Sequence, residues 1–175
     1  MRRILLSCAL LAILTLPSAA AAVASAPGKP GYVVVRKAVG DGGVDGRPVV
    51  TLIVQGFVLG RVSQEGKVDV IQLPSVTGQG APQATPGVST RTIHWGPHKL
   101  PGKEFSGSNF RFRALGGSYR VVVRGSGIYI FAGGKGQVTL RGSSVYKQHD
   151  GTYSVNAGAP RSLPETPLTR KLGRG

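Results

Sequence analysis

Short runs of valine, isoleucine and aromatic residues, each ended by glycine, proline or Asp-Gly, limit the fold of this chain more than any other feature. Such runs are typical of β-strands, and no window beyond the N-terminal segment shows the 3.6-residue apolar period of a helix. The sequence therefore predicts an all-β fold, an antiparallel β-sandwich or small open barrel of about ten short strands. The predicted strands span residues 32–39, 49–54, 57–62, 67–73, 109–115, 118–124, 128–132, 137–141, 145–148 and 152–156.

Residues 49–70 resemble residues 119–140 in their order of β-rich runs and glycines. Gly66 aligns with Gly136, and the alternating segment after each glycine aligns as well. A duplicated three-strand meander, with one copy in each sheet of a sandwich, would explain this similarity. Chance resemblance between glycine-rich strands is the alternative.

The N-terminal segment has the three-part layout of a secretory signal peptide. Met1-Arg2-Arg3 is a short positive start, residues 4–16 are almost wholly apolar, and residues 17–26 are mostly small. We expect a signal helix that is cleaved after Ala24, so that residues 1–24 form the signal peptide and the product is secreted. The alternative is an uncleaved membrane anchor, although the apolar run is shorter than the roughly 20 residues of a spanning helix.

The rest of the chain reads as one all-β domain, residues 25–156. Within it, residues 74–90 are rich in Pro, Gly, Ser and Thr and are predicted to form a mobile loop. Residues 157–175 are basic and broken by proline, with few apolar side chains, which predicts a disordered tail. Cys8 is the only cysteine and lies in the signal, so the mature domain is expected to contain no disulfide and no thiol nucleophile.

The chain is strongly basic, and the excess of positive charge is concentrated in its second half. The whole chain has 22 Lys and Arg residues against 7 Asp and Glu residues, and residues 91–175 contain fourteen of the basic residues and three of the acidic ones. Such a field attracts polyanions. Outside a cell these include teichoic-type polymers, anionic polysaccharide and lipid head groups, whereas nucleic acid is not expected as a physiological partner. Solubility alone is the alternative explanation of the charge.

The sequence offers little for catalysis. It contains neither a G-x-S-x-G nucleophile elbow nor an HExxH motif. A carboxylate pair could be assembled from Glu65, Asp69 and Glu104, but their spacing does not require it. We therefore predict that the protein is not an enzyme and uses no cofactor.

His94-Trp95-Gly96-Pro97-His98 is the one local cluster of metal-ligating residue types. Because Gly96-Pro97 excludes a regular helix, the two histidines do not share a helical face. His94 and His98 stay the only candidates for a metal site, with His149 or Glu104 as a third ligand. We favour a turn with exposed histidines and Trp95 as a packing anchor, and predict no metal.

The candidate binding site comes from two β-rich runs that flank Gly116-Gly117, a dipeptide that suits a two-residue type I′ hairpin. Such a turn sets the register and makes Arg113 face Arg120 as a like-charge pair. The period of two directs one set of side chains to the core: Phe110, Phe112, Ala114, Tyr119, Val121 and Val123. The other face, extended by a lysine in a later glycine loop, is predicted to bind phosphate or carboxylate groups through Arg111, Arg113, Arg120, Arg124 and Lys135. The alternative is a solvated face whose arginines are screened by salt.

The sequence thus predicts an exported, non-catalytic β-domain that binds an anionic cell-envelope polymer or surface through an arginine-lined sheet face. A structural or protein-interaction module without a specific ligand is the alternative. A carboxylate- or metal-dependent hydrolase is a more distant one.

Expression of the full chain in a secreting host tests the signal peptide. We expect N-terminal sequencing of the exported protein to begin at Ser25, because Ala22-Val23-Ala24 places small residues before the cut. Exported protein that begins at Met1 and stays with the membrane fraction would instead support the anchor.

Overall fold

The computed structural model of the chain describes residues 29–38, 47–74, 79–143 and 151–173. Over these ranges the chain contains nine β-strands and no helix, which confirms the all-β prediction. The strands are β1 (Gly31–Ala38), β2 (Val49–Gln72), β3 (Gln83–Ala84), β4 (Ser89–Trp95), β5 (Leu100–Gly125), β6 (Ile128–Arg141), β7 (Thr152–Val155), β8 (Arg161–Ser162) and β9 (Leu168–Leu172).

These nine strands belong to one open antiparallel sheet. Its hydrogen-bonded order is β3-β5-β2-β6-β1-β7-β8, and in addition β4 pairs with β5 and β9 pairs with β6. The prediction of about ten short strands is wrong in strand length. Strands β2, β5 and β6 have 24, 26 and 14 residues, and each joins two or three of the predicted runs into one strand.

Strands β2 and β5 form a long two-stranded ribbon that folds back on itself. Val49 lies opposite Arg124 at one end of the ribbon, and Ile71 lies opposite Gly102 near the other. Residues 66–72 use their second edge to pair with residues 119–125. Residues 119–125 of β5 therefore lie between two stretches of β2 and have hydrogen-bonded partners on both edges. The fold-back curls the sheet around its apolar face.

Four glycines lie side by side across β1, β6, β2 and β5, and we call them the glycine row. Gly31 is opposite Gly134, Gly134 is opposite Gly56, and Gly56 is opposite Gly117. A Cβ atom on Gly56 would lie 2.1 Å from the carbonyl oxygen of Gly133, and Gly56 has a φ of 154°, which residues with a Cβ rarely adopt. The strands pass through this row because it has no side chains, so glycines that suggested turns in the sequence lie inside strands.

Gly116-Gly117 forms a β-bulge within β5, so the predicted hairpin is wrong. Gly117 lies opposite Gly56 and Leu115 lies opposite Phe57, which leaves Gly116 as the extra residue, with a φ of 60°. Residues 109–115 and 118–124 consequently follow one another along one strand, and Arg113 does not face Arg120. The predicted inward face is nevertheless correct, because a bulge and a two-residue hairpin shift the alternation of side chains in the same way. Val122, which was predicted on the outer face, is buried.

The core lies on the inner face of the curled sheet. All the side chains that were predicted to point inward from β5 are buried: Phe110, Phe112, Ala114, Tyr119, Val121 and Val123. Tyr119 is fully buried, and its hydroxyl donates to the carbonyl oxygens of Leu115 at 2.7 Å and Gly80 at 2.8 Å. Burial raises the pKa of Tyr119, so this hydroxyl remains protonated and holds the segment around Gly80 against the bulge.

Two segments that were predicted to be irregular are paired with the sheet. Of residues 74–90, the described part includes β3 and the start of β4, and Gly80 N–H donates to the Leu115 carbonyl at 3.1 Å. The described part of residues 157–175 includes β8 and β9 and buries Leu163 and Leu172. The predictions of a mobile loop and a disordered tail are therefore wrong for these residues, because backbone pairing and two buried leucines order them.

The duplicated meander is also wrong. Residues 49–70 lie within the single strand β2, whereas residues 119–140 comprise the end of β5, a tight turn and most of β6. Similar sequences thus have different structures. The predicted signal helix and the predicted strand at residues 145–148 lie outside the described residues.

Substitution of Gly56 by alanine tests the glycine row. We expect Gly56→Ala to lower the free energy of unfolding by about 3 kcal/mol or more, because the new methyl group meets backbone atoms of β6 and cannot move away. Gly87→Ala is the control, since Gly87 also has a positive φ of 89° but has no atom within 4 Å of the added Cβ. It should cost about 1 kcal/mol. Equal losses in urea denaturation would show that strand contact at the row is unimportant.

Candidate anion-binding surface

The four arginines predicted from β5 fall into two separate groups. Arg111 and Arg113 precede the bulge, whereas Arg120 and Arg124 follow it. At about 3.3 Å per residue along a strand, the seven positions from Arg113 to Arg120 exceed the reach of one phosphate or carboxylate group. The structure therefore does not form the predicted four-arginine ladder.

The second group lies beside the carboxylates of the ribbon. Arg124 Nη1 is 2.7 Å from Asp69 Oδ2, an ion pair within the protein. Arg120 is half-buried, and its guanidinium stacks 4.7 Å from the centre of the Trp95 ring. Burial, with a smaller contribution from Arg124, lowers the pKa of Arg120, while Asp69 opposes this shift. These two arginines already have partners and do not form an open anion site.

The first group lies on the outer face, beside the short edge strand β3. Arg111 is directly opposite Arg61 of β2, so the structure does contain a like-charge cross-strand pair, but between different residues than predicted. Arg61 Nη2 donates to Asn109 Oδ1 at 2.9 Å, and Arg113 Nε donates to Gln83 Oε1 at 2.9 Å. Both partners are neutral and leave the positive charge uncompensated.

A shallow depression of about 320 Å³ brings three arginines together. It is lined by Arg36 of β1, Arg61 of β2 and Arg111 of β5, with apolar side chains from β2 and β6 between them. A second depression, of about 430 Å³, adjoins it and includes Arg113 and Gln83. We call Arg36, Arg61, Arg111 and Arg113 the arginine face. None of the four ion pairs found among the described residues involves them.

Large apolar side chains lie among these arginines. Leu59, Tyr129 and Phe131 line the first depression and are 39%, 36% and 45% exposed. Leu59 is opposite both Arg113 and Phe131 across neighbouring strands, and Arg61 is opposite Tyr129. Cationic and apolar groups therefore alternate on one surface.

Sequence reasoning missed Arg36, Arg61 and the exposed aromatic side chains, because they come from strands whose pairing with β5 is not readable in the sequence. Their outward positions in alternating runs were the available signal. Lys135, which was predicted to extend the site, is exposed opposite Gln55 and lies on the other side of the glycine row. It does not join the arginine face.

The described residues contain no group of three or more His, Cys, Asp or Glu side chains that could hold a metal ion. His94 lies in β4 and His98 in the following turn, and both are exposed; His149 lies outside the described residues. Trp95 is 43% exposed, so it is less of a packing anchor than predicted.

The carboxylates that we considered for hydrolysis, Glu65, Asp69 and Glu104, are each held in an ion pair. Asp69 lies opposite Glu104. Glu104 pairs with Lys67 and, at 3.0 Å, with Arg91. The Lys67 ammonium, assisted by Arg91, holds the pKa of Glu104 below its usual value although burial opposes this. A carboxyl group with a lowered pKa is a poor general acid at neutral pH.

Comparison with protein families, with curated proteins and with solved structures found no match. Over the described residues, no helix has the length and apolar character needed to cross a membrane.

Replacement of Glu104 tests its ion pairs with Lys67 and Arg91 through the pH dependence of stability. Because the folded pKa is lowered, the charged carboxylate stabilises the protein above its ordinary pKa of 4.5, and this stabilisation is lost as the pH falls through the folded value. We expect Glu104→Gln to lower the unfolding free energy at pH 7 by about 1 to 3 kcal/mol, and this difference to shrink below pH 4.5.

Glu65→Gln is the matched control, since the Glu65 side chain is 77% exposed and its pair with Arg47 lies at the surface. Its effect at pH 7 should stay within about 0.5 kcal/mol. Urea denaturation across this pH range gives both quantities, and a Glu104→Gln effect that does not change with pH would contradict the assignment.

Proposed function

We propose that this protein is a non-catalytic domain that binds an anionic polymer or surface through Arg36, Arg61, Arg111 and Arg113. The observation that carries the proposal is the direct opposition of Arg61 and Arg111 on a sheet face where neither takes part in the ion pairs of the described residues. Like charges in opposed positions of a sheet destabilise it. An anion bound between the two guanidinium groups would relieve the repulsion.

The chemistry of guanidinium supports this proposal. Arginine presents a planar set of donors that matches carboxylate and phosphate oxygens, and its charge persists at any physiological pH. Arg61 and Arg113 are each hydrogen-bonded to a neutral amide oxygen, which orients the guanidinium and leaves other N–H groups available. The site is thus oriented without being neutralised.

An extended ligand fits the arrangement better than a small one. The arginines come from three strands and line two adjoining shallow depressions. Repeated anionic groups, as in a polymer or a charged surface, could engage several arginines at once. Residues 25–175 carry 20 Lys and Arg residues against 7 Asp and Glu residues, and this net charge of +13 would attract such a ligand from a distance.

We propose that the protein is exported and that its partner therefore lies outside the cytoplasm. The N-terminal segment has the layout of a signal peptide, and the acceptors then available are teichoic-type polymers, anionic polysaccharides and lipid head groups. We also propose that the inner faces of the curled sheet pack as in a β-sandwich.

A purely structural module is the alternative function. It would share the fold and the basic charge, but its binding to polyanions would be weak and would not depend on Arg61 and Arg111.

Retention on immobilised polyphosphate tests the function. Residues 25–175, which include every described residue, are compared with the Arg61→Ser/Arg111→Ser variant. We expect the variant to bind about tenfold more weakly, because two charge-assisted contacts are lost, and to show a shallower dependence on salt.

The charge-matched control is Arg161→Ser/Arg170→Ser, which removes two exposed arginines from β8 and β9. It should retain most of the affinity. If both double variants lose affinity equally, binding follows net charge alone and the proposed site is wrong.

A further inference from the structure

We infer that the arginine face docks on the surface of a bilayer that contains anionic phospholipid, with its arginines at the phosphates and its apolar side chains among the upper acyl chains. This inference rests on the proposed function and specifies the kind of surface that is bound. In this inference the domain binds at the membrane surface through outward-facing side chains of its sheet and does not span the bilayer.

The first observation is the apolar surface between the arginines. Leu59, Tyr129 and Phe131 lie in one depression with Arg36, Arg61 and Arg111. Tyr32 is 40% exposed and contacts Phe131 at a ring distance of 6.4 Å, which extends the apolar surface onto β1. A hydrated polysaccharide would leave much of this apolar area in water, whereas acyl chains would cover it.

The second observation is the orientation of the aromatic rings. Phe131 meets Tyr32 at an interplanar angle of 64° and Phe57 at 63°, so the three rings do not form a flat platform. Nucleic acid bases are held by stacking on accessible ring faces that are parallel to the base. Rings inclined to one another suit a fluid apolar medium, which needs no single stacking plane.

The third observation is the order of the groups across the strands. Arg113, Leu59 and Phe131 are successive partners across β5, β2 and β6, and Arg111, Arg61 and Tyr129 form the adjacent row. The apolar side chains of both rows therefore lie beside the arginines of β5 and β2, and Arg36 of β1 lines the same depression on their other side. Tyrosine and arginine are typical of the head-group region, where the polar tip stays hydrated and the apolar part is buried. Charge complementarity assigns an anionic lipid to the cationic part.

Vesicle co-sedimentation of residues 25–175 tests the inference, with polyphosphate binding as the parallel measurement. We expect binding to vesicles of phosphatidylcholine with phosphatidylglycerol, and much weaker binding to phosphatidylcholine alone. Leu59→Ser/Phe131→Ser should weaken vesicle binding about tenfold or more and leave polyphosphate binding unchanged, because the lost contacts are apolar. Ile53→Ser is the control, since Ile53 is also 37% exposed but lies beyond the glycine row.

A direct readout uses Phe131→Trp in a Trp95→Phe background, which places the only tryptophan at the proposed contact. Acyl chains brominated near the head group should quench its fluorescence in the anionic vesicles. Trp95 of the unaltered protein, which is stacked with Arg120 away from this surface, should not be quenched.

The outcomes separate the two proposals. If Leu59→Ser/Phe131→Ser binds vesicles like the unaltered protein, or the new tryptophan is not quenched, the membrane inference is overturned while a polyanion site survives. If the same variant loses polyphosphate and vesicle binding alike, the apolar residues serve a polymer site and the inference is again overturned. If Arg61→Ser/Arg111→Ser changes neither kind of binding, the proposed function itself fails.

Discussion

The close approach of backbones at the glycine row is the constraint on which the rest of the structure depends. At Gly31, Gly134, Gly56 and Gly117, strands β1, β6, β2 and β5 lie side by side, and a Cβ atom on Gly56 or Gly134 would meet the backbone of the neighbouring strand. Strands that would otherwise end in turns therefore continue. This continuity gives β2 and β5 the length that allows their ribbon to fold back, and the fold-back in turn encloses the core.

The long, uninterrupted path of β5 also determines which of its arginines lie near carboxylates. The bulge at Gly116 keeps the two pairs of arginines in β5 apart, and the fold-back brings Asp69 and Glu104 beside the later pair only. Arg111 and Arg113 lie with Arg61 and the exposed apolar side chains on the outer face. An ion-paired region and an uncompensated region thus arise on one strand from its path through the sheet.

The sequence showed which side chains alternate along each β-rich run. It did not show which runs join into one strand or which strands pair. The inward side chains of β5 before and after Gly116-Gly117 are correct, because the extra residue of the bulge shifts the alternation as the predicted two-residue hairpin would. Gly-Gly fits both a hairpin and a bulge, and only the partner strand decides between them. For the same reason Arg111 and Arg113 were identified, whereas Arg36 and Arg61 depend on long-range pairing that local patterns do not encode.

Residues 119–125 are hydrogen-bonded along both edges to parts of β2 that are far apart in sequence. Strand β4, by contrast, has β5 as its one partner among the described strands, and most of its side chains face water. Peeling β4 away breaks one ladder and uncovers little apolar surface. Freeing residues 119–125 parts two ladders and uncovers Tyr119, Val121 and Val123 together. Residues 119–125 should therefore open less readily than β4, and we expect their amide protons to exchange with solvent more slowly than those of β4.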